Sequence, residues 1–212
     1  METEELFWRR AIVFGSAVIY WAGVWVQARR VRKRIGRSPN VKPRGLKEKL
    51  LWAGWFLVIV AWLAQPFLAG NHPVFSGVGI FPSLVLPVGL ALGILLTAAG
   101  YAGTLWCYGS MGDAWRMGVN RKEKTTLVTR GPYQFVRHPI YLFQIVILVG
   151  VVLLLPTLLS VLVFFTHLAC VLTKAADEES YLLTVQGEEY CDYLSRTGRW
   201  LPKWRGRTTP PD

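Results

Sequence analysis

Two short polar runs hold the side chains that could do chemistry. The first, Thr129 to Tyr141, places Arg130, Tyr133, Arg137, His138 and Tyr141 in a stretch that leads directly into an apolar segment. Pro132 and Pro139 lack a backbone donor and push Gly131 and His138 away from helical geometry, which predicts an ordered, non-helical connection. The second run holds Lys174, Asp177, Glu178 and Glu179, just past the end of another apolar segment. Three adjacent carboxylates stand out where the neighbouring polar segments are basic, and they are expected to meet the arginines of the first run. Acidic side chains bind amino and hydroxyl groups, arginine and histidine bind carboxylates, and tyrosine ring faces attract cations.

The elements that must position these runs are long and apolar. Apolar residues make up 52% of the 212-residue chain, and its mean hydropathy is +0.32. Residues Ala11 to Ala28, Leu50 to Gly70, Ile80 to Tyr108 and Ile140 to Thr173 carry no charge, and about 20 apolar residues suffice to cross a bilayer core. The last block is 34 residues long with Pro156 near its middle, too long for one span. The fold class predicted is therefore all-α, a polytopic membrane bundle of about five helices. A net charge of +11 would suggest nucleic acid in a soluble chain, but its distribution argues otherwise. All but Arg9 and Arg10 of the 24 basic residues fall in alternate connections and the tail. That is the positive-inside pattern, with the N-terminus outside and the C-terminus cytoplasmic. No nucleic-acid partner is expected; the bilayer is, and the oligomeric state is left open.

Two parts are expected: residues 1–108, three spans with a basic cytoplasmic loop at 29–49, and residues 109–212, a catalytic half of connector, helical hairpin and tail. The basic loop reads first as topogenic charge touching anionic headgroups. Met1 to Arg10 is short, mixed in charge and expected outside, and the run after Arg9 and Arg10 reads as an uncleaved first span rather than a signal peptide. Gly89 with Gly93 and Gly100 with Gly103 suggest close helix packing. His167, inside the fifth span, is expected to face a neighbouring helix and bond a backbone carbonyl. Around Trp115, Asp113 and Arg116 fit either a polar site or an interfacial anchor. Cys107, Cys170 and Cys191 lack metal-ligand spacing, so neither a zinc site nor a disulfide framework is expected. No glycine-rich nucleotide fingerprint lies between a strand and a helix, which excludes a Rossmann domain.

S-adenosylmethionine carries an amino group, ribose hydroxyls, a carboxylate and a sulfonium, matching the two runs group by group. A nicotinamide dinucleotide needs provision for a pyrophosphate, which the basic residues could also make, and composition alone does not choose. The run Leu127 to Tyr141, then Glu178-Glu179, Tyr190, Tyr193 and Leu201-Pro202, resembles the signature of the isoprenylcysteine carboxyl methyltransferase and phospholipid methyltransferase family. The resemblance covers about Gly109 to Pro202.

It implies a membrane-embedded methyltransferase that moves the methyl group of S-adenosylmethionine directly to a lipid-like acceptor and releases S-adenosylhomocysteine. Tyr133, His138, Pro139, Tyr141 and Glu178 would then bind the cofactor, with Glu179, Lys174 and Arg137 as catalytic candidates. Glu179 would be the base for an amine or thiol acceptor. Lys174 stands where isoprenylcysteine enzymes commonly carry arginine, and an ammonium does not reproduce a bidentate grip on a carboxylate. An isoprenylcysteine-type carboxylate and a phospholipid amine both stay open as acceptors. The competing readings are an NADPH-dependent sterol-type reductase and a non-enzymatic membrane protein. The site is expected on the cytoplasmic side, with the lipid arriving sideways from the bilayer.

Overall fold

The computed structural model describes residues 3–39, 43, 45–69, 87–116 and 126–203. These form six α-helices: α1 (Thr3–Ile35), α2 (Gly45–Leu68), α3 (Pro87–Met111), α4 (Pro139–Leu154), α5 (Leu158–Gln186) and α6 (Glu188–Arg196). Among the described residues the β-structure amounts to one isolated bridge, Val136 to Gly198. Helices α1, α2, α3 and α5 are long and apolar enough to cross a membrane, and α4 is a shorter apolar helix of 16 residues. The expected bundle is present, with the proposed long fourth block split into α4 and α5 at Leu155–Thr157. The part of the third apolar block from Ile80 to Leu86 lies outside the described residues.

Local chemistry explains several of the helix ends. Helix α1 starts with Glu4 and Glu5 and finishes with Arg32, Lys33 and Arg34, charges that complement the helix dipole at both ends. Gly36 closes it at φ +73°, with its N–H bonded to Arg32 O at 3.0 Å. Pro139 opens α4 from the first turn, where a missing N–H costs nothing. Thr157 caps α5 by accepting from Ser160 N at 3.1 Å.

The carbonyls at the far end of α4 are capped from another helix. Arg9 is fully buried, and its Nη1 donates to Leu153 O at 3.2 Å and Leu154 O at 3.1 Å. The sequence placed Arg9 just ahead of the first span with no task of its own; the structure gives it a structural task inside the bundle.

Helix α4 is the central post, touching α3, α5 and α1. Its contact with α3 is the closest, because Gly93, Gly100 and Gly103 present bare backbone to Leu154, Ile147 and Phe143. In return Gly150 of α4 receives Thr97. A Cβ at any of these glycines would overlap its neighbour, so the expected packing role of the small residues is observed. Helices α2 and α5 run antiparallel: Lys47 pairs with Asp177, Gly54 lies against Cys170, and Ser160 Oγ bonds Gln65 Oε1 at 2.9 Å. Buried Val13, Ala17, Tyr20, Val58, Trp62, Ile147, Val151 and Leu154 fill the space between. Many large apolar side chains point outward, among them Phe7, Phe56, Leu57, Leu95 and Leu105, which suits a lipid surround.

Candidate active site

At 29 residues, α5 is about 43 Å long at 1.5 Å per residue. It therefore carries Lys174 to Glu179 beyond its apolar stretch. The Thr129–Tyr141 connection comes to meet it. Gly131 sits at φ +62° against Ser110 of α3, followed by a tight turn over Gly131–Gln134 and then by the bridge to Gly198. Arg137 N donates to Gly198 O at 2.8 Å, which straps the C-terminal segment across the site.

The expected meeting of carboxylates and arginines occurs, with each acid finding a different partner. Glu179 accepts from Arg137 Nε at 2.9 Å and His138 Nε2 at 3.1 Å. Arg199 Nε reaches both oxygens of Glu179 at 3.1 Å, and Arg199 Nη2 donates to Oε2 as well. Since an ionised carboxylate only accepts, Nε2 of His138 carries the proton. Glu178 accepts from Tyr141 OH at 2.8 Å and lies 3.7 Å from Nδ1 of His138. The imidazole thus stands between two carboxylates. It also stacks on Tyr141, with ring centres 5.8 Å apart and planes 16° apart, and meets Trp200 at 5.7 Å. Asp177 turns away to Lys47.

A cavity of about 270 Å³ opens beside this cluster. At its charged end stand Arg116, Tyr133, Arg137, His138, Tyr141, Glu178, Tyr190 and Tyr193. At its inner end, among the long helices, stand Tyr20, Trp21, Trp62, Gln144 and His167, and Trp55 stands between the two ends with its ring centre 6.4 Å from that of Tyr141. The wall therefore draws on α1 and α2 as well as on residues after 108.

Burial pushes the phenols of Tyr133 and Tyr190 above their ordinary range and that of Tyr193 up to about 12. These hydroxyls stay protonated near neutrality, and Tyr193 donates to Tyr133 O at 2.6 Å. Arg199 is raised, first by its hydrogen bond to Glu179. Arg116 is lowered, first by burial and then by Arg37.

Of the residues expected at the site, Tyr133, Arg137, His138, Tyr141 and Glu178 line the cavity. Pro139 is buried at the first position of α4 and fixes the turn that presents His138. Glu179 sits behind the wall, holding Arg137, His138 and Arg199. Lys174 is buried on α5, one turn before Glu178, and is not among the cavity-lining residues. Arg130 is exposed and donates to Ser110 O at 3.0 Å. Around Trp115 the two sequence readings divide: Trp115 and Arg116 line the cavity, while Asp113 pairs with Arg34 at the surface. His167 is buried and lines the cavity, and its Nε2 has no partner among the described residues; no carbonyl contact of the expected kind is made by that atom.

The sequence reading missed Arg199 and Trp200 as site residues, since aromatic and basic residues in a tail also serve as membrane anchors. It also missed Gln144 and Trp55. A polar side chain within a charge-free block was the available signal for Gln144.

Residues 91–184 match the Isoprenylcysteine carboxyl methyltransferase (ICMT) family. Over that segment the chain is similar to this family. A solved relative in fold is a eukaryotic intramembrane Ras methyltransferase, ICMT, with a TM-score of 0.54 and 19% identity, covering 74% of this chain and 63% of that one. The cobalt-zinc-cadmium resistance protein CzcN of Cupriavidus metallidurans is 26% identical over 74% of this chain and 67% of its own length. The nickel-cobalt-cadmium resistance protein NccN of Alcaligenes xylosoxydans xylosoxydans is 27% identical over 54% of this chain and 50% of its own. The chain thus spans half to two thirds of the proteins it matches. The resemblance read from the Arg-His-Pro run and the glutamate pair therefore holds at the level of the family, and that family is one of methyltransferases.

Proposed function

We propose that this chain is an integral membrane methyltransferase that uses S-adenosylmethionine and methylates a lipid or lipid-like acceptor. The observation that carries the reading is a single cavity with two ends: a polar end built around His138 and Glu178, and an aromatic end between helices of membrane length.

The residues at the polar end fit the cofactor by their chemistry. Glu178 offers a carboxylate to amino or ribose hydroxyl groups, Arg116 a cation to a carboxylate, and Tyr133 and Tyr141 ring faces to a sulfonium. When bound, S-adenosylmethionine supplies a methyl group already activated on sulfur, so the protein's work is orientation and exclusion of water. A dinucleotide fits less well. Of the two lining arginines, Arg137 is already engaged by Glu179 and by Thr197 O, which leaves a pyrophosphate with little to bind.

Glu179 is assigned a positioning role rather than that of base. Both its oxygens are taken up by cationic or imidazole donors, and it lies behind the cavity wall. It holds Arg137 and His138 in place, and through His138 it orients Tyr141. Glu178 faces the cavity and is the carboxylate the geometry offers to receive a proton from an amine or thiol. A carboxylate acceptor is already ionised and needs no such step. Lys174, set back from the wall, does not grip an acceptor carboxylate in this arrangement.

The basic connections favour a cytoplasmic location for the polar end, by the positive-inside rule, with the acceptor entering from the bilayer. The two bacterial relatives are named for metal resistance, which specifies neither a donor nor an acceptor.

The test is transfer of label from tritiated S-adenosylmethionine into the organic extract of membranes containing the protein. Label above that given by a Glu178→Gln variant is the expected result. No excess over that variant, in membranes supplied with total lipid extract, would overturn the reading.

A further inference from the structure

We propose that the inner end of the cavity binds an uncharged, oxygen-bearing portion of the methyl acceptor and discriminates against a bare hydrocarbon chain. This deepens the methyl-transfer reading above and rests on it for the word acceptor.

Five side chains on four helices carry the argument. Nε1 of Trp21, Trp55 and Trp62, Oε1 of Gln144 and Nε2 of His167 are each buried without a hydrogen-bond partner among the described residues. The same five residues line the cavity. Buried polar atoms are seldom left unpaired in folded proteins, so their gathering around one space is informative. Three further atoms of this kind, on Arg10, Gln65 and Thr97, belong to residues that do not line it.

The chemistry of the set specifies the guest. Indole N–H groups only donate, so they call for acceptor oxygens; Gln144 Oε1 only accepts, so it calls for a donor. A hydroxyl group supplies both. His167 Nε2 serves in either sense according to its tautomer. The charged residues of the wall, Arg116, Arg137 and Glu178, lie at the other end. His167 stands eleven residues before Glu178 on α5, about 16 Å along the helix. A charged group at the inner end would meet no countercharge and pay for its desolvation. A plain prenyl or alkyl chain would leave all five atoms as they are. In the present packing the atoms are shielded, so side-chain rotation accompanies entry of the guest. The amide of Gln144 is steadied meanwhile by donation from its Nε2 to Tyr20 OH.

The test uses the purified full chain in detergent with S-adenosylhomocysteine present, and compares nonylphenol with nonylbenzene by thermal shift across concentration. The phenol is expected to bind about tenfold more tightly, the worth of one recovered hydrogen bond. In His167→Phe and Trp62→Phe the preference is expected to fall to about twofold or less. Comparing each probe between wild type and variant cancels its partition into the micelle, and retained S-adenosylhomocysteine binding shows that the variants are folded. Equal binding of the two probes to the wild type, or a preference that survives both substitutions, overturns the proposal. If S-adenosylhomocysteine binds and no preference exists, the inference fails alone. If the preference exists and S-adenosylhomocysteine does not bind, the methyl-transfer reading fails and the polar chamber stands.

Discussion

Removing the Glu179 carboxylate separates a structural clamp from a peripheral ion pair. The Arg137 and Glu179 side chains are 11% and 10% exposed, and breaking a buried pair by removing one partner costs about 3–5 kcal/mol. Arg199 is 43% exposed, and exposed ion pairs contribute about 0–1 kcal/mol. Glu179→Ala is therefore expected to cost about 3–5 kcal/mol, because it leaves the Arg137 cation buried without a countercharge. Glu179→Gln is expected to fall between that and Arg199→Ala. Its amide oxygen can still accept from Arg137 and His138, while its NH₂ group opposes the Arg199 donors. The assay is the thermal unfolding midpoint in detergent, with the affinity for S-adenosylhomocysteine measured on the same samples. Affinity should fall in the order of the midpoints, since Glu179 holds two residues of the cavity wall. A Glu179→Gln variant as stable as the wild type, or an Arg199→Ala variant as damaged as Glu179→Ala, would refute the reasoning.

Other outcomes follow from the same structure. Gly100→Leu or Gly103→Leu places a side chain in the space of Ile147 or Phe143; overpacking of this kind costs about 1–3 kcal/mol, visible as a lowered unfolding midpoint, and an unchanged midpoint would contradict the α3–α4 contact. Arg9→Met removes the donors to Leu153 and Leu154 carbonyls, an expected loss of about 1–3 kcal/mol for buried acceptors left unpaired. Tyr141→Phe deletes the bond to Glu178 while keeping the ring that stacks on His138, an expected loss of about 1.5–3 kcal/mol in stability, as for a hydrogen bond to a charged group, read as a lowered unfolding midpoint. The Tyr193 phenol is raised by burial from its ordinary 10 to about 12. Its contribution to stability is complete below pH 10 and is lost progressively as pH rises through that window; phenolate absorbance that appears for every tyrosine by pH 10 would rule this out.

The bundle was legible because charge-free blocks of membrane length are an unambiguous signal, and Pro156 divided the last one near the turn observed at Leu155–Thr157. The meeting of the Arg-His-Pro run with the glutamate pair was legible for a similar reason: opposite charges at the edges of two apolar segments have few other partners. Which carboxylate meets which cation was not. Helical periodicity separates adjacent residues by about 100°, so Asp177, Glu178 and Glu179 point to Lys47, the cavity and the arginines respectively, and only the packing of α5 decides the phase. The contributions of Arg9 and Arg199 were hidden because each lies far in sequence from what it caps. Those of Trp55, Trp62 and His167 were hidden because aromatic residues in a span look the same whether they face lipid or a cavity.

Binding of the cofactor's demethylated product tests the central claim most directly. Isothermal titration of the detergent-solubilised chain with S-adenosylhomocysteine, and in parallel with NADPH, should give a saturable heat for the first that is abolished by Glu178→Ala, and none for the second. Saturable binding of NADPH with no heat from S-adenosylhomocysteine would contradict it.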